Sequence, residues 1–159
     1  MWPEDCSADV MIPPKTLLVP TDFSEPAEAA LAYAVALAET LAARVHLVHG
    51  YELPLVGFPD GVMTISAEAA SRIISAAESS LRDAARRYEG RNVTIETALV
   101  QADPREAILQ AAKKVGADLI VMGTHGRRGI ARALIGSTTE AVVRTATIPV
   151  LTVHAESAA

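Results

Sequence analysis

The spacing of apolar residues along this chain changes repeatedly between two periods, which predicts a regular succession of strands and helices. Short runs of Val, Ile and Leu, each closed by a turn former or by a change of period, are typical of buried strands. Longer Ala-rich segments repeat their apolar positions every three or four residues, which is typical of helices that pack by one face. The predicted strands are 16–19, 45–49, 93–100, 119–122 and 148–153, and the predicted helices are 26–43, 66–88, 104–114 and one beginning at 137.

Residues that begin or end helices stand at these boundaries. Ser24 and Asp103 are the expected N-cap residues of the first and third helices, and Gly116 ends the third. The sequence Ser-Thr-Thr-Glu starting at Ser137 matches a capping box, so Ser137 is the expected N-cap of the fourth helix. Residues 50–64 are rich in Gly and Pro and are predicted to form a loop.

Strands that alternate with helices predict an α/β fold, a doubly wound parallel sheet with helices on both faces. Sheets of this kind bind ligands at the carboxyl ends of strands, where the direction of winding reverses. The pattern does not give the strand order, but it nominates the loops after the first and fourth strands as candidate sites. We expect one domain over residues 15–155, with a flexible extension at 1–14 and a tail at 156–159.

Composition and charge narrow the classes of protein that fit. Half of the residues are hydrophobic and 21% are charged, which excludes a disordered chain, and alanine accounts for about a fifth of the residues. The net charge of −5 weighs against a nucleic-acid partner and against polybasic attachment to a membrane. Cys6 is the single cysteine, so neither a disulfide framework nor a thiolate metal cluster is expected. A single cysteine fits a reducing environment, so we expect a cytoplasmic protein. The longest apolar run, residues 29–38, is about half the length that a membrane span needs.

The segment after the fourth strand contains the candidate chemistry. Gly123, Gly126 and Gly136 followed by Ser137 have the spacing G-x2-G-x9-G-[S/T]. Small residues let the backbone approach a ligand closely, and free N–H groups at a helix start favour an anion. The same loop contains three arginines, Arg127, Arg128 and Arg132. The pattern predicts a polyphosphate site, and the alternatives are glycines that only shape turns and arginines that form a solvated surface.

Together with this motif, three segments resemble the universal stress protein family, in its ATP-binding branch. The segments are VPTDFSEPAEAAL after the first strand, DLIVMGTHGR at the fourth strand and IPVLTV near the end. The resemblance implies a five-stranded sheet in the order 3-2-1-4-5 that holds ATP, with Mg2+, across the loops after the first and fourth strands. It also implies a homodimer that pairs the last strands, residues 148–153, of two subunits.

The same resemblance implies a role for each matching position. The residues expected at the nucleoside end, with the aspartate near adenine and ribose, are Pro20, Thr21 and Asp22. Those expected beside the ribose are Met122 and Gly123, and those expected between ribose and phosphates are His125, Gly126 and Arg127. Those expected at the phosphate-binding helix start are Gly136, Ser137, Thr138 and Thr139. The simpler interpretations are a turn or cap residue at Asp22 and a surface residue at His125.

The second predicted strand contains two histidines and is followed directly by a glycine. Gly50 stands where the family often has an aliphatic residue that flanks adenine, so we expect another residue, from the 50–64 loop, to fill that space. His46 and His49 are three residues apart, so on a strand they face opposite sides. We interpret them as structural residues, and no metal site is predicted.

These features favour binding over catalysis. The chain lacks the P-loop pattern G-x-x-x-x-G-K-[S/T]. Asp22 would lie at the nucleoside end and His125 has no evident carboxylate partner, so no catalytic residue is assigned. We expect an ATP-binding regulatory protein of the stress response whose nucleotide state tunes an unidentified protein partner. A slow ATPase and a dimeric chaperone-like protein without nucleotide turnover are the alternatives.

Overall fold

The structure, a computed structural model, describes residues 12–53, 55–58, 61–124 and 135–154, and for 55–58 and 61–64 it describes the backbone alone. In chain order the elements are β1 (Thr16–Pro20), α1 (Glu25–Leu41), β2 (Arg44–Tyr51), β3 (Leu55–Phe58), β4 (Gly61–Thr64), α2 (Ala67–Arg86), β5 (Thr94–Gln101), α3 (Pro104–Val115), β6 (Leu119–Gly123), α4 (Ser137–Thr145) and β7 (Val150–Val153). Five of the strands form one parallel sheet in the order β5-β2-β1-β6-β7. Counted along the main sheet alone this is the order 3-2-1-4-5, so the predicted fold class is confirmed.

The helices cover the two faces of the sheet in pairs, and each face has its own core. Successive residues of β1 point to opposite faces, so Leu17 and Leu18 are both fully buried but belong to different cores. The core under α1 and α2 includes Leu31, Leu47, Leu81 and Val121. The core under α3 and α4 includes Val48, Ile108, Ile120 and Val142. Right-handed crossovers put α1 and α2 on one face while the chain moves from β1 to β5, and put α3 and α4 on the other while it returns to β6 and continues to β7.

The helix boundaries confirm two of the predicted caps. The Ser24 hydroxyl accepts a hydrogen bond from the N–H of Ala27 (3.4 Å) in the first turn of α1. The Asp103 carboxylate accepts from the N–H of Glu106 (3.1 Å) at the start of α3. Gly116 ends α3 in the left-handed conformation, with φ of 61°. These contacts satisfy N–H and C=O groups that a helix leaves free at its ends.

The prediction of a loop over residues 50–64 is wrong. Gly50 and Tyr51 continue β2, where Gly50 pairs with Val100 of β5. Residues 55–58 and 61–64 form the two strands of an antiparallel hairpin, β3 and β4. The apolar runs of this hairpin are only four residues long, and Gly and Pro interrupt them, so the turn signals concealed the strands. The last strand also begins two residues later than predicted, at Val150.

Gly50 lets α3 lie close to β2. A Cβ atom at this position would lie 2.7 Å from Ala107 Cβ and 3.3 Å from Pro104 Cα. We expect Gly50→Ala to push the start of α3 away from the sheet and to lower the free energy of unfolding by about 1–3 kcal/mol. Urea denaturation measures this loss. The double variant Gly50→Ala/Ala107→Gly should be destabilised by less than the sum of its two single variants, because it removes the opposing methyl group. Unchanged stability in the single variant would contradict the explanation.

Candidate functional site

The candidate site lies where the winding of the sheet reverses. β1 pairs with β2 on one side and with β6 on the other, and the chain leaves β1 and β6 toward opposite faces. The loop from β1 to α1 and the loop from β6 to α4 therefore emerge from neighbouring strands at the same edge. Doubly wound sheets place their ligands in this crevice, outside the carboxyl ends of the strands.

The loop after β1 is a tight turn held by its own hydrogen bonds. The N–H of Thr21 donates to the Val48 carbonyl (2.8 Å), and the buried Thr21 hydroxyl accepts from the N–H of Phe23 (3.0 Å). Asp22 Oδ1 accepts from both the N–H (3.1 Å) and the hydroxyl (2.5 Å) of Ser24. The half-buried carboxylate of Asp22 is therefore oriented by the same turn that begins α1.

The end of β6 packs directly against the start of α1. A Cβ atom at Gly123 would lie 2.7 Å from the carbonyl oxygen and 2.8 Å from the carbonyl carbon of Pro26. Glycine is therefore required at position 123 because β6 and α1 approach each other closely there. The reason is not an unusual backbone conformation, since Gly123 does not have a positive φ. The preceding Met122 side chain is buried in the core under α3 and α4. Both residues can therefore offer a ligand only their main-chain atoms.

The prediction that Ser137 caps α4 is wrong. The N-cap is Gly136, whose carbonyl accepts the first helical hydrogen bond from the N–H of Glu140 (2.9 Å), and Ser137 is the first helical residue. The Glu140 carboxylate contacts Arg144 (3.1 Å), one turn further along the helix, so the reciprocal bond of a capping box is not made. As a result α4 begins without a side-chain cap.

Hydrogen bonds fix the start of α4 to the end of β6. The N–H of Gly136 donates to the Thr124 carbonyl (2.6 Å), and the N–H of Thr124 donates to the Val153 carbonyl (3.0 Å). Thr139 is only 4% exposed, and its hydroxyl donates a hydrogen bond to the Gly123 carbonyl (2.8 Å). The two ends of the glycine-rich segment are therefore held together. The predicted site residues His125, Gly126 and Arg127, with Arg128 and Arg132, lie outside the described residues.

We expect Thr139→Val to lower the free energy of unfolding by about 1–2 kcal/mol, because it removes the donor to a partly buried carbonyl. Thr145→Val is the matched control, since the exposed Thr145 hydroxyl makes a similar bond (2.7 Å) to Ala141 within the same helix. The control should change stability by less than about 0.5 kcal/mol. Chemical denaturation compares the two variants, and equal losses would show that the bond to Gly123 has no special importance.

The two second-strand positions have clear structural partners. The space that a side chain at Gly50 would need is occupied by Ala107 of α3, so the expectation that the 50–64 segment fills it is wrong. His46 and His49 face opposite sides, as predicted: His46 Nδ1 lies 3.5 Å from Glu96 Oε2, and His49 contacts the loop after β1. Among the described residues, no group of three or more His, Cys, Asp or Glu side chains is placed to hold a metal ion.

A cavity of about 310 Å³ lies in another part of the domain, between the end of α2 and β5. Its walls include Arg82, Tyr88 and Ile95. Burial raises the pKa of the Tyr88 phenol above its ordinary value, and the Glu28 carboxylate adds to this effect. The cavity adjoins the first half of β5, at the edge of the sheet, so it is separate from the crevice between β1 and β6.

The strand order and the direction of winding define a doubly wound α/β domain, and the candidate site is its switch point between β1 and β6. The sequence profile of the Universal stress protein family matches residues 14–154. The chain belongs to this family. None of the helices in the described part of the chain is long and apolar enough to cross a membrane.

Individual relatives agree with this assignment. A universal stress protein of Thermus aquaticus is 42% identical over 143 residues, which cover 88% of this chain and 98% of that protein. The solved structure of MJ0577, a universal stress protein of Methanocaldococcus jannaschii, matches with a TM-score of 0.74 at 27% identity and covers 91% of this chain and 98% of that one.

Two further solved structures are nucleotide complexes. A universal stress protein in complex with cAMP matches with a TM-score of 0.65 and 28% identity, over 89% of this chain and 97% of that one. A universal stress protein from Archaeoglobus fulgidus in complex with dAMP matches with a TM-score of 0.62 and 25% identity, over 89% of this chain and 98% of that one.

Proposed function

We propose that this chain binds ATP in the crevice between β1 and β6, and that its nucleotide state tunes the interaction with a protein partner in the stress response. The observation that carries the proposal is the start of α4, which lacks a side-chain cap and is anchored to β6 through Thr139 and Gly136. N–H groups at a helix start, together with the helix dipole, favour phosphate. The cAMP and dAMP complexes of relatives support an adenine nucleotide.

The residues of the crevice fit such a ligand at both ends. The N–H groups of Ser137 and Thr138, in the first turn of α4, would bind the phosphates. Gly136 uses its own N–H in the bond to Thr124, so its contribution would be the absence of a side chain. At the opposite end the carboxylate of Asp22 would accept hydrogen bonds from the nucleoside.

The remaining proposed residues complete this assignment. The main chain of Met122 and Gly123, next to the loop that contains Asp22, would lie by the ribose. We propose that Pro20, Thr21 and Gly50 lie beside the nucleoside. We propose that His125, Gly126 and Arg127 lie between the ribose and the phosphates. Mg2+ would enter with the phosphates of ATP and offset part of their charge.

We propose binding without fast turnover. Asp22 Oδ1 already accepts two hydrogen bonds from Ser24 and helps to begin α1, so the carboxylate has an orienting role in the turn. When bound, ATP supplies a charged triphosphate whose loss or exchange would alter the surface around the glycine-rich segment. A partner that recognises this surface would distinguish the ATP-bound chain from other states.

The nucleotide that copurifies with the chain tests this proposal. The purified protein is denatured, and the released nucleotide is identified by mass spectrometry, followed by calorimetric titration with Mg-ATP, Mg-ADP and Mg-GTP. Intact ATP, with tighter binding of ATP than of GTP, is the expected result. Release of ADP and phosphate over time would favour a slow ATPase. Failure to bind any of the three nucleotides would refute the proposal and favour a chaperone-like protein.

We also propose a homodimer in which β7 pairs with its counterpart in a second copy. Within the described residues β7 has one strand neighbour, β6, so its outer edge offers N–H and C=O groups for pairing. Light scattering distinguishes this dimer from a monomer of 16.7 kDa. In the proposed dimer each copy contributes one domain, residues 15–155. We propose that the protein is located in the cytoplasm.

A further inference from the structure

His49 contacts the loop after β1 from the neighbouring strand β2. Its Nδ1 atom lies 2.7 Å from the carbonyl oxygen of Thr21. A carbonyl oxygen only accepts, so Nδ1 must carry the proton and donate this bond. The imidazole also packs against the ring of Phe23, with ring centroids 4.7 Å apart and planes tilted by 40°. One side chain outside the loop therefore contacts the residues on both sides of Asp22.

The turn around Asp22 depends on an unusual backbone conformation. Phe23 has φ of 62°, in the left-handed region that a bulky side chain rarely adopts. This conformation directs the chain from β1 into the N-cap at Ser24, whose N–H and hydroxyl both bond to Asp22. Contacts that hold Phe23 and Thr21 in place therefore also set the direction of the Asp22 carboxylate.

The geometry points to His49 as a positioning residue for the nucleotide site. Its Nδ1–H fixes the Thr21 carbonyl and its ring supports Phe23, and together these contacts orient Asp22 toward the nucleoside end of the crevice. The inference rests on the proposed function and deepens it, because it assigns a role in affinity to a histidine that the sequence alone indicates to be only structural. His46, on the opposite face of the same strand, contacts Glu96 and has no such role.

Three variants separate the hydrogen bond from simple packing. His49→Asn places an amide N–H near the position of Nδ1, whereas His49→Leu has similar bulk and no donor. His46→Leu makes the same substitution three residues earlier on the other face. Titration with Mg-ATP should show affinity about fivefold to tenfold weaker for His49→Leu, within about twofold of wild type for His49→Asn, and unchanged for His46→Leu.

A second measurement needs no nucleotide. In the free protein, nitrogen NMR shifts of the imidazole should report the tautomer with the proton on Nδ1. Hydrogen exchange at the N–H groups of Phe23 and Ser24 should accelerate in His49→Leu and stay near wild type in His49→Asn. If His49→Leu does not fold, His49→Gln replaces it. The glutamine amide reaches the position of Nε2 rather than that of Nδ1, so this variant should also lose the bond to the Thr21 carbonyl.

The two measurements distinguish the two claims. Wild-type protein that binds no ATP but shows the expected tautomer and exchange would refute the proposed function and leave the role of His49 in the loop supported. Asparagine and leucine variants with equal affinity and equal exchange would overturn the role of His49. Loss of ATP affinity in His46→Leu equal to that in His49→Leu would do the same.

Discussion

Replacing Gly136 by valine is expected to weaken ATP binding at least about 100-fold while the protein stays folded. Gly136 has φ of −57° and ψ of 148°, an extended conformation that β-branched residues adopt without strain. The substitution therefore leaves the backbone unstrained. A branched side chain at the N-cap of α4 would occupy the approach to the N–H groups of Ser137 and Thr138, to which we assign the phosphates.

Calorimetric titration with Mg-ATP measures the affinity, and circular dichroism with thermal unfolding verifies the fold. Gly136→Ser is the informative companion variant, because serine is a preferred N-cap residue whose hydroxyl would bond to the free N–H groups of the helix. It should unfold at the same or a slightly higher temperature and bind ATP more weakly than wild type. Wild-type affinity in Gly136→Val would show that the phosphates do not bind at the start of α4.

Replacing Gly123 by alanine is expected to lower the free energy of unfolding by about 3 kcal/mol. The added Cβ would lie 2.7 Å from the carbonyl oxygen and 2.8 Å from the carbonyl carbon of Pro26. Both are backbone atoms, so no flexible side chain can move to relieve the contact. The first turn of α1 would have to shift away from the end of β6, which also separates the two loops of the crevice.

Gly116→Ala is the matched control for this destabilisation. Gly116 has φ of 61°, and a Cβ atom there would meet nothing within 4 Å, so its cost comes from backbone conformation alone, about 1 kcal/mol. Urea denaturation of both variants should therefore rank Gly123→Ala as clearly the less stable. A smaller or equal loss for Gly123→Ala would contradict the close packing of α1 against β6.

The elements that the sequence predicts well are those with a period sustained over many residues. α1 repeats its buried residues from Ala27 to Ala38, over about three turns, and strands such as β6 are continuous apolar runs. The helices and the strands of the main sheet therefore follow from pattern alone. Local spacing does not contain the strand order, which follows instead from the resemblance to the universal stress protein family. The switch point between β1 and β6 follows from that order and from the handedness of the crossovers.

The features that the sequence predicts poorly depend on contacts between distant segments. Ser137 matches a capping box, but Glu140 pairs with Arg144 instead, and local sequence permits either partner. In the sequence Gly50 and Gly123 look like turn or ligand-binding glycines, and the structure shows that each also makes room for a helix: α3 at Gly50 and α1 at Gly123. Only the packed structure identifies these neighbours.

The hydrogen bond from His49 to the Thr21 carbonyl cannot be predicted from the sequence for a similar reason. It joins the end of one strand to the loop after another, and these strands are neighbours only in the folded sheet. The hairpin of β3 and β4 has a different cause, since four-residue strands interrupted by glycine give too short a pattern to be distinguished from a loop.

A nitrogen-15 NMR titration of the whole chain with Mg-ATP is the sharpest test of nucleotide binding between β1 and β6, because it reports each backbone N–H separately. We expect saturable shifts at Ser137 and Thr138 together with Thr21 and Asp22, all with one dissociation constant. Saturating ATP that leaves these four signals unchanged, or that shifts only signals around the cavity between α2 and β5, would contradict this expectation.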